Sequence, residues 1–162
     1  NSAGVPGSTF ASGLPLMSKL CANNKRYRKT EGGQLMAKKK NAAVKRKPAI
    51  RAAASVMWSE LPAHIGGAYS KLLVRPESCG SKAIDYRVSV YQPRAYVEPH
   101  LHRTQEQVYH VLDGEALIEI GGERAVVRKD DVIFIPPGVR HAIYNTGMTD
   151  LRFIVVTSPP DE

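Results

Sequence analysis

The chain has 162 residues, 43% of them hydrophobic, which is room for one domain with a packed core. Its net charge of +8 is unevenly held: residues 1–56 carry 12 Lys and Arg against a single acid, Glu31, whereas residues 57–162 carry 11 against 14 acids. The basic character therefore belongs to an N-terminal arm, which argues against a nucleic-acid-binding fold. The two cysteines, Cys21 and Cys79, form neither a disulfide framework nor a C-x-x-C knuckle, and no apolar run reaches the roughly 18 residues that cross a membrane.

Residues 1–35 are rich in Gly, Ser, Asn and Pro, with a basic cluster at Lys25–Lys29, and read as disordered. Met36, followed by Ala37-Lys38-Lys39-Lys40, is a plausible start. No apolar run follows the basic stretch as a secretory signal requires, so a reduced cytoplasmic setting is the default and an organellar transit segment the alternative. Residues 38–56 add Lys45-Arg46-Lys47 and Arg51. Composition favours a solvated arm there. A tether to nucleic acid or an anionic membrane is the competing reading, weakened by Pro48 and by Tyr27 being the one stacking ring nearby. Residues 57–69, with Met57, Trp58, Leu61 and Ile65, are expected as an ordered lead-in that packs on the domain. His64 within it stands alone and reads as a surface or structural side chain.

From Ser70 the pattern changes to short β-type runs separated by turn residues. The expected strands are Lys71–Val74, Ala83–Tyr91, Tyr96–His102, Gln107–Leu112, Ala116–Ile120, Glu123–Arg128, Val132–Ile135, Ala142–Asn145 and Leu151–Thr157. Gly121-Gly122 between two of them is a two-residue hairpin signal. No helical period of ten residues follows residue 66. So many short strands in residues 70–158 imply an all-β sandwich or barrel, with residues 159–162 as a tail.

Three of the five histidines fall into two short signatures. His100 and His102 are two residues apart in a β-type run, so on a strand both face one side. His141 ends the turn sequence Pro136-Pro137-Gly138-Val139-Arg140-His141. The run from His100 to Asn145 resembles the cupin superfamily. Its first motif is Gly, five residues, His-x-His, three or four residues, Glu, six residues, Gly. Arg94, His100-Leu101-His102, Gln107 and Gly114 keep that spacing. Its second motif is Gly, five residues, Pro-x-Gly, two residues, His, three residues, Asn. Asp130, Pro136-Pro137-Gly138, His141 and Asn145 keep it throughout. The resemblance covers roughly residues 70–158 and implies a double-stranded β-helix, or jelly-roll barrel, behind the disordered basic arm. Arg94 and Asp130 stand where the motifs have Gly; both are turn positions, and Asp tolerates left-handed backbone well.

The third departure touches chemistry. Gln107 occupies the place of the family's acidic ligand, and Glu106 is its neighbour. On a strand the two face opposite sides. The spacing to Gly114 favours Gln107, the spacing from His102 admits either, and alternation does not decide. The resemblance implies a metal site of His100, His102, His141 and Gln107. Three imidazoles and one oxygen suit Fe(II), Mn(II), Ni(II), Co(II) or Zn(II). Three neutral imidazoles with a Gln oxygen would leave the ion its full +2 charge, whereas a Glu would reduce it to +1.

Tyr109, on the face of Gln107, and Glu106 are the candidate catalytic groups; a core role for Tyr109 is the alternative. Asn145 and His110 read as structural. Arg94, Tyr96, Arg140 and Arg152 are candidates to meet an anionic substrate at the barrel mouth. The resemblance implies a homodimer and a metal-dependent enzyme of dioxygenase, lyase, isomerase, decarboxylase or hydrolase type acting on a small oxygenated organic molecule. A non-catalytic ligand-binding or sensor protein is the other reading, and fold-level analogy names no substrate.

Overall fold

The computed structural model describes residues 44–161, and the expectations for residues 1–43 lie outside them. The described residues hold eleven strands: β1 (Ser59–Glu60), β2 (His64–Ile65), β3 (Ala68–Val74), β4 (Asp85–Tyr91), β5 (Tyr96–Val97), β6 (Glu106–Asp113), β7 (Glu115–Ile120), β8 (Glu123–Arg128), β9 (Val132–Ile135), β10 (His141–Asn145) and β11 (Leu151–Ser158). They pair antiparallel in two sheets, a six-stranded β1-β3-β4-β11-β6-β9 and a five-stranded β2-β5-β10-β7-β8. The expected all-β two-sheet fold is the one observed. A single helical turn, α1 (Pro76–Cys79), fills the β3–β4 connection.

The two sheets bury one core. Val97, Val111, Ile118, Ile135, Ile143 and Phe153 are each at most 3% exposed. In β6, β9 and β11, and over most of β7, burial alternates, as period-two side chains against an inner face require. Burying side chains of this size contributes about 1.5–3 kcal/mol apiece.

The turns carry the left-handed backbone that the motifs demand. Arg94 and Asp130 adopt φ of 74° and 72° at the two positions where the motifs carry Gly. Gly114, at φ 87°, leaves no room for a side chain: a Cβ there would lie 2.8 Å from the Asp150 carbonyl oxygen. Gly121 and Gly122 turn β7 into β8 at φ 60° and 92°, pairing Ile120 with Glu123. Asn145 is structural as expected. Its amide donates to the carbonyls of Tyr91 and Thr149 at 2.7 and 2.8 Å and its oxygen accepts from Gly147 N–H, closing the turn into β11.

Residues 44–55, expected as a solvated arm, are exposed, with a helical turn at Ala53–Ser55, and two hydrogen bonds tie residues 51 and 53 to the six-stranded sheet. β1 covers β3 only at Tyr69 and Ser70, so the Leu73 carbonyl is unpaired on that edge and accepts from Arg51 Nη1 at 2.8 Å. Lys71 Nζ donates to the Ala53 carbonyl and sits 4.9 Å over the Trp58 ring. The expected strand Tyr96–His102 stops at Val97, and His100 joins the sheet only through an isolated bridge to His141. Pro99, with no N–H to give, accounts for the break.

Candidate metal centre

Three backbone devices bring the histidines together. His100 N–H donates to the His141 carbonyl at 3.0 Å and His141 N–H to that of His100 at 2.8 Å, which ties the β5–β6 loop to the start of β10. The turn Pro136-Pro137-Gly138 reverses the chain into His141, with Gly138 at φ 76°. Gly138 N–H also donates to the His102 carbonyl at 2.6 Å, so the same turn holds the third histidine's backbone. The resulting ring centroids lie 4.4 Å (His100–His141), 5.1 Å (His100–His102) and 5.6 Å (His102–His141) apart. One nitrogen from each ring falls within 4.8 Å of the others, a spacing at which the three can share a metal ion.

The ring orientations select which nitrogen faces inward. His100 Nδ1 lies 2.8 Å from the Glu98 carbonyl, and His141 Nδ1 lies 3.0 Å from the Val139 carbonyl. A carbonyl only accepts, so Nδ1 carries the proton in both rings and Nε2 is left with its lone pair. Burial disfavours the imidazolium. It lowers the pKa of His100 and brings that of His141 down to about 4, so both rings are neutral at pH 7.

Gln107 sits against this triad from β6. Its Nε2 donates to Thr157 Oγ1 at 3.2 Å, and its Oε1 accepts from the Tyr109 hydroxyl at 3.0 Å. That orientation aims Oε1 at His141 Nε2, 3.1 Å away. With the His141 proton on Nδ1, two lone pairs face each other across this contact. A cation held between them satisfies both atoms, so the donor set fits a metal. Tyr109 is fully enclosed and its pKa is pushed up by burial, so it is a neutral phenol and a donor to Gln107 at pH 7.

Glu106, expected as a candidate catalytic carboxylate, is not brought to the site. It opens β6 on the outer, exposed side and pairs in register with Ser158, while the alternate set Gln107, Tyr109 and Val111 faces the interior. Of the four side chains expected to meet an anion, Arg94, Tyr96, Arg140 and Arg152, none lines the cavity beside the triad, although the Arg140 charge reaches His100.

That cavity holds about 300 Å³ and reaches from His100, His102 and Gln107 to the β4 side of the barrel. Several of its polar residues, His64, Arg75, Arg87, Ser89 and Gln105 among them, were not singled out from the sequence as site residues. His64, read there as a surface or structural residue, comes from β2 and packs edge-on to Tyr91 at 5.8 Å; burial lowers its pKa. Arg75 and Arg87 flank Asp85, which is wholly buried. The available signal was Asp85-x-Arg87-x-Ser89-x-Tyr91. A polar set on a strand is ordinarily assigned to solvent, and here it faces inward.

A family model described as a cupin domain matches residues 87–157. An uncharacterised protein of Methanocaldococcus jannaschii is 38% identical over 61 residues, 38% of this chain and 49%, about half, of that protein. The oxalate-binding protein of Thermotoga maritima is 32% identical over 84 residues, covering 52% of this chain and 69% of the relative. A crystal structure from Thermotoga maritima, described as a predicted oxalate decarboxylase, is similar with a TM-score of 0.63 at 24% identity, over 68% of this chain and 99% of that one; this likeness concerns the fold.

Proposed function

This chain belongs to the cupin family, and from that premise we propose that it binds a divalent transition metal through His100, His102, His141 and Gln107 and acts on a small oxygenated organic molecule. The observation that carries the reading is the facing pair His141 Nε2 and Gln107 Oε1 at 3.1 Å, each held in that orientation from behind. When bound, such an ion polarises substrate oxygens, and Fe(II), Mn(II), Ni(II), Co(II) and Zn(II) all suit the donor set.

The chain's own residues supply the rest. Glu98 and Val139 carbonyls fix two imidazole tautomers. Tyr109 and Thr157 fix the amide and so act as positioning residues. The apolar walls Val97, Phe153 and Val155 thin out water in the cavity, which strengthens every polar contact within it. A dioxygenase, lyase, isomerase or decarboxylase reaction is compatible with this arrangement. A ligand-binding protein without turnover is the second reading, favoured by the name of the oxalate-binding relative.

The outer face of the six-stranded sheet supports a homodimer. Val108, Ile154 and Val156 run across its middle, and Val132 and Phe134 at its edge are 63% and 57% exposed. An apolar face of this extent is the usual mark of a partner.

Elemental analysis of protein purified without chelator tests the metal reading. The unmodified protein and Glu106→Ala should carry about one metal ion per chain, and His100→Ala and Gln107→Ala substantially less. Protein that is metal-free as purified and takes up none on reconstitution would end it.

A further inference from the structure

The cavity has a second polar end, remote from the histidines in sequence and built from β4 and the β3–β4 connection. Arg87 and Ser89 follow Asp85 on the inner row of β4. Asp85 is wholly buried. Its Oδ1 accepts from Arg87 Nε at 3.1 Å, and its Oδ2 lies 2.9 Å from Arg75 Nε, an ion pair off the hydrogen-bond axis. One carboxylate thus braces two guanidinium groups by their Nε sides. The exposed Glu77 carboxylate also lies 3.5 Å from Arg75 Nε, so the acids and guanidinium groups balance in number, but only the two arginines line the cavity, and among the described residues no Asp or Glu does.

The Arg87 charge acts inside the cavity. It helps to hold His64 down and opposes the upward shifts of Tyr91 and Tyr109, three side chains of the cavity wall. Strand register gives the span. Arg87 pairs across β11 with Val155, and Val155 pairs across β6 with Tyr109, the residue that holds Gln107. Two strand spacings put Arg87 on the order of 10 Å from Tyr109, backbone to backbone. Side chains reach inward from both ends, so the space between suits a chain of a few carbons. Leu61, Val97, Phe153 and Val155 supply apolar wall to the cavity, beside the polar His64, Ser89 and Gln105.

We propose that Arg87, braced by Asp85 and Arg75, receives a carboxylate at the far end of the ligand. The ligand is then a short organic acid with an oxygen-bearing head for the histidine end and an anionic tail for Arg87. A guanidinium braced at Nε presents its Nη groups as a fork that matches a carboxylate. The inference deepens the metal-site reading and rests on it for the head of the ligand only.

Calorimetric titration of the full chain with 2-oxoglutarate and with 2-oxopentanoate tests it, since these acids share a five-carbon chain and differ in the distal carboxylate. Both titrations are run on Co(II)-loaded and on EDTA-treated protein. The expected result is tighter binding of 2-oxoglutarate by about tenfold or more, the size of one charged hydrogen-bonding contact. Arg87→Gln should abolish that preference, leaving cobalt content and 2-oxopentanoate affinity unchanged. Arg87→Lys keeps Asp85 paired and serves if Arg87→Gln does not fold; it should retain only part of the preference. Equal affinities, a preference that survives Arg87→Gln and Arg87→Lys undiminished, or failure of 2-oxoglutarate to bind overturns the inference. Cobalt bound without any preference sinks this inference alone. A preference retained in protein that takes up no cobalt sinks the metal reading alone.

Discussion

Acidification should unfold the metal-free protein through its histidine centre. An unfolded histidine titrates near 6.5, whereas burial holds His141 at about 4 in the folded chain. Between those values the unfolded state binds the proton that the folded state refuses, so stability falls as pH falls from 6.5 and levels off below about 4. From pH 7 to pH 5 the linkage relation gives a loss of about 2 kcal/mol for this one ring. Solvent in the cavity screens part of it, leaving ~1–2 kcal/mol. His100, also lowered by burial, adds to the loss in the same direction. Urea unfolding in EDTA at pH 7 and pH 5 reads the difference, and His141→Gln, which cannot take up the proton, should flatten the profile. A profile equally steep in His141→Gln would refute the assignment of the loss to this ring. Saturating Co(II) should shift the acid limb to lower pH, because an ion bound only by the folded state adds to its stability.

Gln107→Glu should tighten Co(II) or Zn(II) retention by about tenfold or more in a chelator competition, because a carboxylate neutralises part of the ion's charge. Unchanged retention would take Gln107 out of the coordinating set. Phe134→Asp should turn a dimer into a monomer in sedimentation at micromolar concentration, with the melting temperature of the monomeric fold preserved; a dimer that survives the charge lies on another face. Gly114→Ala should cost at least about 2 kcal/mol in thermal unfolding, since alanine resists φ of 87° and its Cβ would press on the Asp150 and Leu151 backbone. A loss below about 0.5 kcal/mol would show that the β6–β7 turn yields easily.

Much of this was legible in the sequence because it rests on local rules. Period-two alternation gave most strand bounds to within two or three residues, and Gly121-Gly122 gave the hairpin. Motif spacing put Arg94 and Asp130 at turns, where both adopt left-handed backbone. What alternation misjudged was sidedness. In β4 the apolar set Tyr86, Val88 and Val90 faces outward and the polar set Asp85, Arg87, Ser89 and Tyr91 inward, the reverse of a soluble sheet's habit. An apolar outer face and an inner face that lines a polar cavity invert the usual rule together. The same inversion hid Arg87 and drew attention to Arg94, Arg140 and Arg152, which chain position alone placed near the motifs. His64 escaped for another reason: β2 pairs with β5 across more than thirty residues of chain, and no local pattern reports such a contact.

The amide at position 107 and the pair Arg75 and Arg87 act in one electrostatic sense. On the proposed reading, an acidic ligand at 107 would place a negative charge beside the oxygen end of an incoming acid, and that repulsion is strongest in a cavity walled by apolar side chains. Gln107 supplies an oxygen without the charge. Asp85 is wholly buried beneath Arg75 and Arg87, where its charge is already paired, and Glu77, the other acid beside Arg75, does not line the cavity. The cavity thus offers neutral imidazoles and a neutral amide at one end, two guanidinium groups at the other, and, among the described residues, no acid in its lining. A protein built for a neutral substrate gains nothing from removing the carboxylate at 107, and loses metal affinity by it. One built for an anionic substrate gains attraction over the whole length of the cavity. The same contrast ties two measurements together: Gln107→Glu should strengthen metal binding and weaken 2-oxoglutarate binding in the same protein, whereas a purely structural role for the amide would leave the second unmoved.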